Sequence, residues 1–223
     1  MHWLKIILIA LGVVVITSVA LGSINYVWMG LPTKGPKISQ YPAPQAALLV
    51  VDIQEDITGP ASKMLNSSKS ETLISTVNQM IETSNSRKMP VIYIGQEFND
   101  DSISRTLLGN TLIKGQPGTK LDSRLRMVNS IYFPKLRSDA FSNPDLEEYL
   151  VENQIQKIYV VGADAVYCAY KTALGGVNRG YDVTIIPDAT ATKTNKSSEE
   201  IIKMYEKDKI TVMSSSEFLS TQP

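Results

Sequence analysis

The sequence has a single cysteine, Cys168, and a single histidine, His2. One thiol excludes an internal disulfide, and a histidine beside the initiator methionine excludes a zinc site assembled from Cys and His along the folded chain. An excess of charge of one sign is missing as well, since 22 Lys and Arg balance 22 Asp and Glu. With no basic stripe, nucleic acid is not an expected partner. No internal repeat and no low-complexity tract is present. What remains is 223 residues, 43% of them hydrophobic, enough for one domain with a sizeable core and an appendage.

The appendage is N-terminal. Ile6 to Met29 contains no charged residue, and its polar interruptions are only Thr17, Ser18, Ser23 and Asn25. As a helix it would reach about 36 Å, enough for a hydrocarbon core of about 30 Å. Trp3, Tyr26 and Trp28 stand near its ends, where amphipathic rings favour the headgroup level. Residues 1–30 are therefore expected to be a single-pass membrane anchor, with the domain outside the cytoplasm. A cleaved signal peptide is the alternative, with Ser18-Val19-Ala20 as the processing site. Lys5 on one side and Lys34 and Lys37 on the other do not settle orientation. Residues 31–45, with Pro32, Gly35, Pro36, Pro42 and Pro44, read as a semi-extended linker, and the folded domain is expected over 46–219.

Within that domain short apolar runs alternate with helical patterns. Ala46 to Val51, Val91 to Ile94, Ile131 to Phe133, Lys157 to Val161, Val183 to Ile186 and Ile210 to Met213 read as strands. Between them, Leu73, Ile74, Val77, Met80 and Ile81 recur at helical spacing. Pro144 to Val151, Val166 to Val177 and Ser197 to Lys207 complete the helices, the last capped by Ser197 or Ser198. This alternation predicts an α/β fold, a doubly wound parallel sheet covered by helices on both faces. The polar stretch from Gly95 to Arg124 reads as a long loop of the kind that forms lids or binding segments.

Ligands of open parallel sheets bind beyond the carboxyl ends of the strands. Asp52 closes the first strand, Lys135 follows the third, and Cys168 lies in the first turn of the helix after the fourth. A helix N-terminus and a nearby ammonium favour the thiolate, and a carboxylate alongside could take the proton. Each residue also has a structural explanation: a cap for Asp52, a solvated side chain for Lys135, core packing for Cys168 beside Ala169 and Ala173. Their convergence on one sheet edge favours chemistry.

Three segments resemble the isochorismatase-like cysteine hydrolases, a family that includes nicotinamidases and N-carbamoylsarcosine amidase. Leu48-Leu49-Val50-Val51-Asp52-Ile53-Gln54-Glu55-Asp56 resembles the family's first strand and Asp-x-Gln-x-Asp motif. Lys135-Leu136-Arg137-Ser138-Asp139-Ala140-Phe141 resembles its lysine motif. Val161-Gly162-Ala163-Asp164-Ala165-Val166-Tyr167-Cys168 is similar to its nucleophile motif, and the likeness extends over Ala46 to Leu219. The resemblance implies Asp52 as acid/base, Lys135 as charge partner and Cys168 as nucleophile. It also implies a cis peptide at Ala163–Asp164 that aims the N–H groups of Asp164 and Cys168 at an oxyanion. Gln54, Glu97, Phe98, Asp164 and Tyr167 become candidate substrate contacts.

The departures narrow the function. Nicotinamidases carry an Asp-x-His pair and a further histidine that bind a metal, whereas the matching positions here are Glu97-Phe98-Asn99. No metal and no cofactor are expected, and a nicotinamidase is disfavoured. Ala165 stands where the motif usually has threonine. Asp164 could either recognise a cationic substrate or cap the helix. Hydrolysis of a vinyl ether of the isochorismate type does not need a thiol, so Cys168 favours carbon–nitrogen chemistry on a small amide, carbamoyl or ureido compound. A catalytically silent, membrane-tethered binding module on the same fold and an isochorismate-type ether hydrolase are the alternatives, and a redox-sensing thiol is weaker because no second cysteine could resolve it. Relatives commonly form dimers or tetramers, which leaves a homo-oligomer open.

Overall fold

The computed structural model describes residues 27–221 and, before them, positions 3, 7, 11–13, 17 and 22. Most of the expected anchor therefore lies outside the described residues. Among those that are described, no helix is long and apolar enough to cross a membrane.

The first strand, β1 (Gln45–Val51), shows why the sheet is central. Successive side chains of a strand point to opposite faces, and here both faces are dry. Ala47, Leu49 and Val51 enter one core, Leu48 and Val50 the other, all fully buried. Five more strands, β2 (Val91–Gln96), β3 (Tyr132–Lys135), β4 (Ile155–Ala163), β5 (Asp182–Ala191) and β6 (Thr211–Val212), join it in the order β3-β2-β1-β4-β5-β6. Every pairing is parallel. Pro134 is tolerated because β3 is an edge strand that needs no donor on its outer side.

The helices are α1 (Glu55–Thr58), α2 (Ser67–Ser86), α3 (Ser102–Leu108), α4 (Pro144–Glu152), α5 (Cys168–Arg179), α6 (Ser198–Lys207) and α7 (Ser215–Ser220). Helix α2 buries Leu73, Ile74, Val77, Met80 and Ile81 against one face, joined by Phe218 of α7. Helices α4, α5 and α6 bury Leu146, Leu150, Ala169, Ala173, Ile201 and Tyr205 against the other. The expected doubly wound architecture is thus present, and Ser197 caps α6 in a capping box with Glu200.

The stretch from Gly95 to Arg124 is not a plain loop. It contains α3 and a 3₁₀ turn at Pro117–Thr119. Helix α3 escaped the periodicity reading because it has no buried residue and hence no apolar stripe facing a core. Asp101 caps it by accepting from Ile103 N and Ser104 N. Asp56 holds the stretch down by accepting from Leu112 N at 2.6 Å.

Residues 31–44 contain no helix or strand, yet they are a strap rather than a free tether. Thr33 donates from N and Oγ1 to Asp139 Oδ2, at 2.6 and 2.5 Å, and accepts from Arg179 Nη1 at 2.9 Å. Asp139 and Arg179 are both buried. Burial pushes the Asp139 carboxyl up from its ordinary value, against the hydrogen bonds from Thr33 and Phe141 and the charge of Arg179.

Candidate active site

The strand order places the topological switch between β1 and β4, where the connections leave in opposite directions and open a crevice. Asp52 directly follows β1 and is in the left-handed region, with φ of 54°. Gly162 faces Val51 across the same crevice with φ of 114°. A Cβ there would come within 2.0 Å of Val51 O, so only glycine lets β4 approach the backbone that presents Asp52. The peptide between Ala163 and Asp164 is cis. Four residues further on, Cys168 opens α5.

The three residues converge. Lys135, the last residue of β3, reaches past β2 and sets its Nζ 2.9 Å from Asp52 Oδ2, both side chains sealed from solvent. The Cys168 thiol interacts with both groups. Asp52 is met by the Lys135 ammonium at Oδ2 and by the Cys168 thiol, and no further group donates to its oxygens among the described residues.

Protonation differs from the expectation that the helix N-terminus and Lys135 would yield a thiolate. Burial pushes the Cys168 thiol up, Lys135 opposes this, and the Asp52 carboxylate adds to the rise, so the thiol titrates at about 12. Burial would lower Lys135, but Asp52 and Cys168 outweigh it and hold the ammonium above its ordinary value. The thiol is thus held in its protonated form beside the Lys135 ammonium, because burial and the neighbouring Asp52 disfavour a second anion there.

Gln96, which the sequence reading passed over, supports this arrangement. Its Oε1 accepts from Lys135 Nζ at 2.7 Å, and its Nε2 donates to Lys135 O at 2.8 Å. The signal was available, since Gln96 closes β2 at the same edge at which Asp52 closes β1. Gln54 was a candidate substrate contact, but it is fully buried and committed to the main chain. Its Oε1 accepts from Gln96 N and its Nε2 donates to Gln96 O and Thr119 O. It clamps the strand end and offers no free polar atom.

Asp164 fills one of its expected roles. Oδ1 accepts from Val166 N at 2.8 Å, and Oδ2 accepts from Thr192 Oγ1 at 2.8 Å and from Lys193 N at 3.3 Å. With both oxygens engaged, the side chain braces the turn before α5, the capping role among those expected of it. Among the described residues, the backbone N–H groups of Asp164 and Cys168 donate to nothing, whereas those of Ala165, Val166, Tyr167 and Ala169 all do. Ala163 is buried in the apolar core at the end of β4, and Tyr167 is exposed at the start of α5.

A cavity of about 270 Å³ is lined by Glu97, Asn99, Lys114, Lys135, Leu136 and Asn143, and neither Asp52 nor Cys168 is part of its wall. Its size suits a small ligand. A cavity of about 310 Å³ between α2, β5 and α6 does not touch the three residues. Glu97 accepts from Tyr132 Oη at 2.7 Å. Phe98 packs against the core, and its backbone pairs with that of Leu112 and Lys114. Among the described residues no group of three His, Cys, Asp or Glu side chains could hold a metal ion. Glu97, Phe98 and Asn99 do not fit the metal of nicotinamidases.

The fold is thus an open parallel sheet with Asp52, Lys135 and Cys168 gathered at its switch point. Residues 46–217 match the isochorismatase domain, and the chain belongs to that family. It is 29% identical over 163 residues to an Arabidopsis thaliana protein named as a probable inactive nicotinamidase, covering 66% of this chain and 81% of that protein. An uncharacterized isochorismatase family protein of Bacillus subtilis is 26% identical over 157 residues, 70% of this chain and 83% of the relative. The fold is shared with N-carbamoylsarcosine amidase from Thermoplasma acidophilum, at a TM-score of 0.66 and 22% identity over 77% of this chain and 96% of that one. It is shared too with an isochorismatase-like hydrolase from Alkaliphilus metalliredigens, at a TM-score of 0.69 and 22% identity over 79% and 97% of the two chains.

Proposed function

We propose that the protein is a cysteine hydrolase that cleaves a carbon–nitrogen bond of a small amide, carbamoyl or ureido compound. The observation that carries this reading is the buried contact of Lys135 with Asp52 at 2.9 Å, with the Cys168 thiol beside both. As Sγ attacks the carbonyl carbon, Asp52 takes the thiol proton and Lys135 balances the charge that moves onto sulfur. The N–H groups of Asp164 and Cys168, free of other acceptors, would receive the oxyanion. Asp52 then returns the proton to the leaving nitrogen, which departs as ammonia or an amine and leaves a thioester. Water, giving a proton to Asp52, attacks the thioester; the carbon–sulfur bond breaks, the carboxylic acid product leaves, and Asp52 returns its proton to sulfur to restore the thiol.

The apolar run from Ile6 to Met29 would tether this hydrolase to a membrane, with the domain outside the cytoplasm. Cys168→Ala and Asp52→Asn are each expected to abolish release of ammonia or amine from a panel of such compounds while leaving the circular dichroism unchanged. Turnover retained in either variant would refute the assignment.

A second reading has its own observation. The Arabidopsis relative is named as inactive, and a silent member of the family would bind its ligand saturably in the Lys135 cavity without consuming it. Calorimetry on compounds that fail to turn over separates the two readings.

A further inference from the structure

Two features beside the Lys135 cavity have no part in the hydrolase reading. The apolar N-terminal run ends against the cavity's rim. Arg137 Nη2 donates to Trp28 O at 2.8 Å and to Leu31 O at 2.9 Å, and its guanidinium lies 4.0 Å from the centre of the Trp28 ring. Ser138 N donates to Met29 O at 3.0 Å. Just beyond, Thr33 is pinned on buried Asp139. No slack chain therefore separates the end of the run from the segment that carries Lys135.

The second feature is unpartnered apolar surface around the opening. Leu136, which lines the cavity, is 49% exposed. Asn99 and Lys114 also line the cavity and bracket α3 in sequence, and the Phe98–Ile113 bridge closes the base of that segment. That helix presents Ile103 and Leu107, one turn apart on one face, at 73% and 77% exposure.

We propose that this rim rests on the headgroup layer of the membrane, so that the cavity opens at the bilayer surface rather than into bulk water. The occupant follows from where the chain runs. Trp28 is a residue type that settles at the headgroup level, and it is fixed to Arg137 at the rim, so the rim lies at that level too. Leu136 and the Ile103/Leu107 face are then the apolar side of an interfacial contact. A second copy of the chain could cover the same face, but it would not require the rim to be held at the end of the apolar run. The inference rests on the membrane reading of Ile6 to Met29, and it stands or falls independently of any turnover.

The test uses the full chain as Cys168→Ala, spin-labelled through Leu107→Cys, Leu136→Cys or Asn153→Cys. It is reconstituted in vesicles of equal parts phosphatidylcholine and phosphatidylserine. The labels at 107 and 136 are expected to be more accessible to oxygen than to a water-soluble nickel complex, and the exposed control at 153 to show the reverse. Adding Arg137→Ala should return label 107 to the nickel-accessible state while the protein still floats with the vesicles. Nickel accessibility at all three positions would overturn the proposal, as would protein that does not float. So would exclusion of both reagents at 107 with spin–spin broadening between copies, which would assign the face to an oligomer. No outcome depends on hydrolysis, so failure here leaves the amidase assignment to its own test.

Discussion

Asp52→Asn is expected to make Cys168 more reactive toward a small alkylating agent while it abolishes hydrolysis. In the wild type the Asp52 charge is one of the forces that hold the thiol at about 12. An adjacent like charge typically displaces a pKa by about 1–3 units, and Lys135, also held by Gln96, remains after the substitution. Taking a fall of about two units, the thiolate fraction at neutral pH rises about 100-fold, because both forms titrate well above that pH. Nucleophilicity falls with the pKa along a slope of about 0.45, which returns roughly eightfold, so the net gain in alkylation is about tenfold. Amide hydrolysis moves the other way, since the acceptor of the thiol proton and the donor to the leaving nitrogen are lost together, and should fall by about 100-fold to 10,000-fold. Iodoacetamide labelling followed by mass spectrometry from neutral to alkaline pH, beside amine release on the same samples, reads both quantities. Slower alkylation in the Asn variant at every pH would refute the reasoning, because Asp52 would then be sustaining a preformed thiolate.

Lys135→Met leaves the Asp52 carboxylate buried without its ammonium and should cost about 3–5 kcal/mol in urea unfolding, most of it recovered when Asp52→Asn removes the second charge. A chain beginning at Ser39 lacks the Thr33 donors to Asp139 and should be less stable than one beginning at Leu31 by roughly 3 kcal/mol, again by urea unfolding. Because the folded thiol titrates above its unfolded value of 9.0, its contribution to stability is complete below about pH 9 and is lost as pH rises toward about 12. Wild-type stability should therefore decline over that interval more steeply than that of Cys168→Ala, measured by denaturant midpoints at each pH.

The architecture was legible because burial on two faces leaves a local mark. Val50 and Val51 are neighbours in sequence yet lie in opposite cores, so the strand reads as an unbroken apolar run, and the helices between such runs carry their own period. Helix α3 carried no such mark, since nothing in it is buried. Asp52 and Lys135 are legible from their places at strand ends, and Cys168 from its place in the first turn of the following helix. Gln96 met the same condition but was missed, because an uncharged amide attracts no attention until its partner is seen. Gln54 and Asp164 sit in the right motifs, yet which way a side chain points is set by the groups packed around it: Gln96 and Thr119 for the one, Val166 and Thr192 for the other.

The order of apolar runs and turn residues along the chain determined the parallel sheet, the edge at which chemistry gathers and the three residues that gather there, since these follow from local patterning and chain topology. Tertiary structure alone decided the protonation of Cys168, the use of Asp164 as a brace and the seating of residues 31–44 on the domain. Each depends on distances between groups remote in sequence. Lys135 stands 2.9 Å from Asp52 across the intervening strand β2, and Thr33 lies 2.6 Å from an aspartate more than a hundred residues away. Charge and hydrogen-bond energies vary with those separations and with the water excluded around them, neither of which is written in the order of residues.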